Sequence, residues 1–264
     1  MRVVPGERPP PLTDVRGDYG VDAPYVPLML AAGGVVLVAV AVANAIAASW
    51  AWTAVALVAG AGLLCSAGSY MYTTRRGKFR VWARILGGLG LAGGERVLDV
   101  GCGRGAVLLT AAKLLPSGRA TGLDLWKASD QSGNALDVTR RNAEREGVAD
   151  RVDLRTGDML EMPFDHASFD IVVSSLAIHN IESASGRAAA IDQAVRVLRP
   201  GGRLAVADIR ATAEYERRLR ELGMSDVVRR PLGWRFWFGG PWMSTTLVCA
   251  TKPAVPPAGR RLSG

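Results

Sequence analysis

The sequence contains few residues that could form disulfides or bind a metal ion. Of its 264 residues, three are cysteine and two are histidine. Cys65, Cys102 and Cys249 are widely spaced and form no CxxC pair, so neither a disulfide framework nor a structural zinc site is expected. The same cysteine usage fits a reducing compartment. Because no other residues show metal-ligand spacing, no metal is expected at all.

One long stretch of the sequence also lacks charged residues. Residues 23–74 contain no Asp, Glu, Lys or Arg, although the mean hydropathy of the whole chain is only +0.15. A helix needs ~20 apolar residues to cross a bilayer, so the stretch predicts a hairpin of two spans, 26–47 and 53–72, with Trp50 and Trp52 at its turn. The alternative is a buried hairpin of a soluble fold, but buried helices rarely run so long without a charge. A cleaved signal sequence has a much shorter apolar core.

Basic residues directly after the second predicted span indicate its orientation. The turn between the spans is uncharged, whereas five basic residues follow: Arg75, Arg76, Lys78, Arg80 and Arg84. Since Lys and Arg are retained on the cytoplasmic side, both termini are predicted to be cytoplasmic. These residues account for most of the net charge of +8, and without a recognition motif no nucleic-acid partner is expected.

The remaining chain predicts an α/β domain. Short β-branched runs alternate with amphipathic stretches, which is typical of a doubly wound, seven-stranded, mostly parallel sheet. The predicted strands are residues 96–100, 120–124, 152–156, 169–174, 203–208, 226–230 and 244–251. The predicted helices are residues 106–115, 135–145, 188–198 and 212–222. The expected division is a tail (1–25), the transmembrane hairpin (26–72), a basic juxtamembrane connector (73–93), the α/β domain (94–253) and a C-terminal tail (254–264).

A glycine-rich segment follows the first predicted strand. The strand runs into Gly101, Gly103 and Gly105, which allow a sharp turn and a close approach of backbone to ligand. Gly101, Gly103 and Ala106 alone also satisfy a relaxed dinucleotide fingerprint. Asp99, two residues before the first glycine, and the rest of the chain favour a different cofactor.

The segment resembles the first motif of the class I S-adenosylmethionine-dependent methyltransferases, and the resemblance extends over residues 94–253. It implies S-adenosylmethionine as the cofactor and a loop that wraps the methionine part, formed by Asp99, Gly101, Cys102, Gly103 and Gly105. Asp124, with Leu125 beside it, ends the second strand where the family places a carboxylate on the ribose hydroxyls. Asp158 and Met159 follow the third strand, where the resemblance implies contact with the adenine. Residues 198–204 resemble the structural turn before the fifth strand.

The end of the fourth strand is similar to that of quinone-pathway C-methyltransferases. Ser175 stands at a cofactor-contacting serine of that group, whereas His179 replaces its arginine. A neutral imidazole can accept a proton near neutral pH, so His179 is the candidate catalytic residue, and a structural histidine is the alternative. His166 lies in a polar turn and is expected on the solvated surface.

Two further segments have unusual compositions. Residues 126–134 lengthen the connection after the second strand and form either a cover over the adenosine edge or a plain loop before a helix. Residues 234–242 hold three tryptophans and two phenylalanines. They are interpreted as a wall of a hydrophobic substrate pocket, as a contact with the membrane interface, or as core at the sheet edge.

These observations favour a membrane-anchored methyltransferase that acts on a lipophilic or other small-molecule acceptor at the cytoplasmic face. One alternative keeps the chemistry but uses a soluble acceptor, with the hairpin serving only for localisation. Another is a catalytically inactive, tethered cofactor-binding scaffold. A dinucleotide oxidoreductase is less favoured because no Tyr-xxx-Lys pair is present and Asp158 and Met159 would have no role in it.

Overall fold

The computed structural model describes residues 12, 14–126 and 135–254. It begins with a helical hairpin, α1 (Tyr25–Ile46) and α2 (Trp50–Tyr72). At 1.5 Å per residue each helix is about 33–35 Å long, and both are long and apolar enough to cross a membrane. Most of their surface is exposed, since only 17% and 22% of the most apolar windows are buried. A buried soluble hairpin would show the opposite.

Helix α2 ends at Tyr72, the predicted end of the second span, but the chain stays helical beyond it. It passes through one π-helical turn (Thr73–Gly77) directly into α3 (Lys78–Gly88). One face of α3 is buried in the α/β domain through Phe79, Val81, Trp82, Ile85 and Leu86. The segment expected as a basic connector is therefore an amphipathic helix, with the arginines at 75, 76, 80 and 84 exposed.

The predicted α/β sheet is confirmed. Its seven strands run in the order β3-β2-β1-β4-β5-β7-β6, parallel from β3 to β5, with β7 antiparallel to both its neighbours. The strands are β1 (Arg96–Val100), β2 (Arg119–Asp124), β3 (Val152–Thr156), β4 (Phe169–Ser175), β5 (Leu198–Asp208), β6 (Ser225–Pro231) and β7 (Thr246–Thr251). The helices are α4 (Ala106–Ala112), α5 (Leu136–Arg145), α6 (Ala184–Val197) and α7 (Thr212–Glu221).

Several element boundaries differ from the sequence prediction: α4 ends at Ala112 rather than 115, and β7 begins at Thr246 rather than 244. Two further differences have local reasons. Helix α6 begins four residues early because the Ser183 hydroxyl accepts a hydrogen bond from Gly186 N at 3.0 Å and caps it. Residues 198–202 were expected to form only a turn, but β5 already pairs with β4 at Leu198. The register then shifts, so the Pro-Gly-Gly stretch bulges out of the strand rather than preceding it.

Alternate residues of the central strands enter two cores. Val97, Val173 and Ala205 pack with α3, α4 and the domain end of the hairpin, whereas Leu98, Val172 and their neighbours pack with α6 and α7. The first core therefore continues without a break from the α/β domain to Tyr70 near the end of α2.

Candidate active site

The glycine loop between β1 and α4 adopts a backbone that requires glycine. Gly101, Gly103 and Gly105 have φ values of 72°, 50° and 88°, which favour glycine over any residue with a Cβ. Helix α5 fixes the loop, because Thr139 Oγ1 donates to Gly103 O at 2.7 Å and Asn142 Nδ2 donates to Arg104 O at 3.0 Å. The loop is thus held at the carboxyl end of β1.

The first of these glycines is also a point of close packing. A Cβ on Gly101 would collide with the Cβ of Ala177, which follows β4, and would lie 3.5 Å from Met159 Cε, which follows β3. The ends of β1, β3 and β4 therefore converge at this position. The structure brings together the predicted methionine loop, the predicted adenine contact and the segment that carries His179.

Asp124 connects the end of β2 to the same place. Its Oδ2 accepts from Gly103 N at 2.8 Å, its Oδ1 accepts from Trp126 N at 2.6 Å, and its backbone oxygen accepts from Gly157 N at 3.1 Å. Leu125 beside it is exposed, as is Asp158, whose Oδ1 accepts from Leu160 N at 2.9 Å. These side chains form the rim of the site.

Asp99 and Cys102 lie beneath the loop. Burial raises the pKa of the Cys102 thiol well above its ordinary value, which makes it an inert packing group. Asp99 is 1% exposed, and neither carboxylate oxygen has a hydrogen-bond partner among the described residues. Burial raises the pKa of Asp99 to about 7; the Leu108 backbone opposes this shift and the Asp124 charge adds to it. A buried carboxyl group without a partner is costly, so this site is suited to a cationic ligand.

Ser175 is held by α3, the helix that continues from α2. Its hydroxyl accepts a hydrogen bond from Trp82 Nε1 at 2.9 Å, and the Trp82 ring is 1% exposed. Trp82 belongs to α3, which is continuous with α2. The helical continuation of the hairpin thereby contacts the carboxyl end of β4.

His179 stands in a short 3₁₀ turn after β4, next to the carboxyl end of β5. Its Nδ1 lies 2.5 Å from Asp208 Oδ1, within ion-pair distance but without a hydrogen bond at Nδ1 among the described residues. The His179 backbone N–H also donates to Asp208 Oδ2 at 3.0 Å, and Tyr215 OH donates to the same oxygen at 3.2 Å. Burial, with Asp208 beside it, raises the pKa of Tyr215, so its phenol remains a donor.

A cleft of about 490 Å³ opens beside this pair. It is lined by His179, Asn180, Ile181, Glu182, Arg187, Arg210, Ala211 and Glu214. Arg187 is fixed in the wall by Glu214 at 2.8 Å. The sequence reasoning missed Asp208, although an aspartate that ends a central parallel strand is a detectable signal.

Among the described residues, the aromatic segment 234–242 is not part of the cleft lining. Residues 127–134 lie outside the described part of the chain; Trp126 before them donates from Nε1 to Thr156 Oγ1 at 2.9 Å. The aromatic segment docks on the domain end of the hairpin, where Trp234 stacks on Tyr72 with ring centroids 5.4 Å apart. His166 is exposed, as expected.

A segment before the hairpin also reaches the glycine loop. Asp18 pairs with Arg104, the loop residue between two glycines, at 2.9 Å. The same segment is fixed by Glu146, whose Oε1 accepts from Gly17 N at 2.8 Å and from Tyr19 OH at 3.0 Å. The loop is thus supported from two directions, by α5 and by the chain that leads into α1.

Comparison with known proteins agrees with this geometry. Residues 97–202 match the family described as "Methyltransferase domain". The chain is 34% identical over 164 residues to 27-O-demethylrifamycin SV methyltransferase of Amycolatopsis mediterranei, covering 56% of this chain and 53% of that protein. It is 35% identical over 131 residues to a ubiquinone/menaquinone biosynthesis C-methyltransferase of Roseobacter denitrificans, covering 49% of each. The chain thus spans about half the length of the curated relatives that it matches.

Solved structures share the fold. Geranyl diphosphate C-methyltransferase from Streptomyces coelicolor A3(2), solved with S-adenosyl-L-homocysteine, superposes with a TM-score of 0.53 at 19% identity, covering 66% of this chain and 79% of that one. The [4+2]-cyclase SpnF superposes with the same TM-score at 20% identity, covering 66% and 82%. At such identities the likeness concerns the fold alone, whereas the sequence match also confirms the cofactor class predicted from the motifs. The chain therefore contains a class I S-adenosylmethionine-dependent methyltransferase domain.

Proposed function

We propose that this protein is a membrane-anchored methyltransferase that transfers a methyl group to a lipophilic acceptor at the cytoplasmic leaflet. The observation that carries the proposal is the continuous helix from Trp50 to Gly88. This helix is apolar and exposed along the predicted span, and its far end places Trp82 in hydrogen-bond contact with Ser175 at the candidate site. A site attached so closely to a span is suited to an acceptor that stays in the bilayer.

The residues of the loop fit S-adenosylmethionine. Asp99 has two buried carboxylate oxygens without partners in the described structure, and a carboxylate in this position can pair with the cofactor's ammonium group. Asp124 on the rim can accept from the ribose hydroxyls, and Met159 offers an apolar surface to the adenine. When bound, the cofactor supplies a methyl group whose bond to the sulfonium sulfur breaks with the electron pair left on sulfur.

His179 serves as the general base in this proposal. The imidazole Nε2 takes the proton that the acceptor's hydroxyl or acidic carbon loses as the new bond to the methyl carbon forms. Asp208 is a positioning residue: its carboxylate at Nδ1 favours the tautomer with a free Nε2 and stabilises the imidazolium that results. Tyr215 and the Ile209 backbone N–H, at 3.2 and 2.8 Å from its oxygens, hold Asp208 in place. Alignment of acceptor and methyl group supplies much of the rate.

The names of similar proteins support a small acceptor with a lipophilic part. One relative acts in ubiquinone and menaquinone biosynthesis, and one protein of the same fold is a geranyl diphosphate C-methyltransferase. Both names refer to molecules with isoprenoid parts. In this proposal the membrane anchor also means that the acceptor enters the site from the membrane surface.

The membrane orientation is testable with reporter fusions. Four arginines, at 75, 76, 80 and 84, lie exposed just beyond α2, so both termini are expected in the cytoplasm. A reporter at the C-terminus should give a cytoplasmic signal, and one inserted after Ser49 should give the opposite signal. A C-terminus outside the cytoplasm would contradict the orientation and would separate the site from its cofactor.

The activity is tested by transfer of a tritiated methyl group from labelled cofactor into a membrane extract, with the products separated by polarity. The proposal expects the label in the apolar fraction with the wild type and little label with His179→Ala. Label in a water-soluble product would favour the soluble-acceptor alternative. No transfer, together with intact binding of S-adenosylhomocysteine, would favour the inactive scaffold.

A further inference from the structure

A short turn of the α/β domain lies beside the hairpin. This turn, residues 238–243 and here called the Gly-Gly-Pro turn, stands within a stretch, residues 236–251, without any charged residue. A Cβ built on Gly239 would lie 3.6 Å from Leu30 Cδ1 in α1 and 3.7 Å from Ser66 O in α2. The turn therefore contacts both helices of the hairpin.

The positions of Leu30 and Ser66 along their helices show how far the turn lies from the helix ends. Ser66 is six residues before the end of α2, and Leu30 is five residues after the start of α1. At 1.5 Å per residue, the turn lies about 8–9 Å inward from the helix ends. The exposed Arg75 marks the headgroup region still farther out. A headgroup layer is only about 5–7 Å thick on each side, so the turn reaches the edge of the hydrocarbon.

The exposed side chains near the turn are those of a membrane interface. Trp242 is 74% exposed and Pro241 is exposed beside it. Trp234, 52% exposed, stacks on Tyr72 at the end of α2. Tryptophan and tyrosine concentrate where the hydrocarbon meets the headgroups.

Part of the backbone in and next to the turn is hydrogen-bonded within the protein. Trp237 O accepts from Thr73 Oγ1 at 2.6 Å, with Ser69 Oγ at 3.5 Å. Inside the turn, Phe238 N donates to Met243 O at 3.0 Å and Met243 N donates to Gly240 O at 3.1 Å. Backbone polar groups near lipid must be paired within the protein, and hydroxyls of the hairpin supply part of that pairing.

We propose that the Gly-Gly-Pro turn is a third membrane-contacting element, inserted into the cytoplasmic leaflet beside the two spans with Trp242 against the phospholipid. The inference rests on the insertion of the hairpin that the proposed function contains. It gives the α/β domain a second attachment to the bilayer, so the domain cannot pivot about the π-helical joint. The candidate site then keeps a fixed height above the membrane.

Fluorescence quenching in proteoliposomes tests this placement on the full chain. The variants Trp242→Cys, Val58→Cys and His166→Cys each carry an environment-sensitive nitrobenzoxadiazole label in phosphatidylcholine/phosphatidylglycerol vesicles. Their background is Cys65→Ala/Cys249→Ala, which keeps only the buried Cys102. Val58 is 74% exposed on α2 and reports insertion of the hairpin, whereas the exposed His166 reports the water-facing domain. Pro241→Cys is a second probe should Trp242→Cys fold poorly.

The proposal expects the labels at 242 and 58 to be quenched by nitroxide lipid and protected from aqueous iodide, and the label at 166 to behave in the opposite way. Lipid quenching at 58 with iodide quenching at 242 overturns the inference and leaves the anchor intact. No lipid quenching at 58 overturns the membrane anchor itself. If the label at 242 is quenched by neither nitroxide lipid nor iodide, the inference is also overturned, because position 242 is then covered by protein.

Discussion

Replacing Asp99 by asparagine should stabilise the protein above pH 7 and weaken cofactor binding. The carboxyl group is 1% exposed, has no hydrogen-bond partner among the described residues and has a pKa of about 7, compared with an ordinary value of 3.8. Below pH 4 both the folded and the unfolded chain carry the proton. Between pH 4 and 7 only the folded chain keeps it, so the free energy of unfolding falls as the pH rises and levels off above 7.

The size of the effect follows from the pKa difference of about three units. At 1.36 kcal/mol per unit, the wild type loses about 4 kcal/mol of unfolding free energy between pH 4 and 7, as an upper value. The asparagine side chain stays neutral at every pH, so Asp99→Asn should match the wild type near pH 4 and exceed it above pH 7. For a chain of this size 1 kcal/mol is about 2–4 °C in Tm, which gives a difference of about 10 °C.

Thermal unfolding in lipid nanodiscs from pH 4 to 8.5 measures this difference, with the exposed Asp165→Asn as the matched control. S-adenosylhomocysteine should also bind about 10- to 100-fold more weakly to Asp99→Asn, since a hydrogen bond to a charged group contributes about 1.5–3 kcal/mol. In the wild type, binding should release a proton near pH 6. A Tm difference that is independent of pH would refute the reasoning.

Five further single variants and one double variant test the remaining assignments. His179→Ala should lower turnover by ~10²–10⁴ while leaving S-adenosylhomocysteine affinity near wild type, and full turnover with a reduced Tm would make the histidine structural. Asp208→Asn should also lower turnover, by a smaller factor than His179→Ala, without changing cofactor affinity. Asp124→Ala should weaken S-adenosylhomocysteine binding roughly 10- to 100-fold by calorimetry, and unchanged affinity would exclude contact with the ribose. Trp82→Phe and Ser175→Ala should lower kcat equally, and their double variant should lose no more than either, whereas additive losses would contradict a shared hydrogen bond.

The elements with local signals could be predicted from the sequence. Strand β1 and its glycines form one contiguous pattern of β-branched residues followed by residues that tolerate positive φ, and the structure has both where they were expected. The hairpin was equally visible because its signal is the absence of charge over residues 23–74. In both cases the information lies within a single segment.

The contacts that complete the site join segments far apart in the sequence. Asp208 lies 29 residues from His179, and Trp82 lies 93 residues from Ser175. Only the parallel pairing of β4 with β5 and the packing of α3 bring these pairs together. Helix α3 itself was interpreted as a basic connector because its arginines are conspicuous, while its apolar residues at 79, 82, 85 and 86 already had helical spacing.

The central claim, that the anchored site serves an acceptor within the same bilayer, is tested most directly by comparing shared and separate vesicles. Proteoliposomes that contain the enzyme together with an apolar membrane extract receive tritiated S-adenosylmethionine, and a parallel sample holds the same extract in separate vesicles. The account predicts apolar labelled product when enzyme and extract share a bilayer, and strongly reduced product when they do not. Equal labelling in both samples, or label only in a water-soluble product, would contradict it.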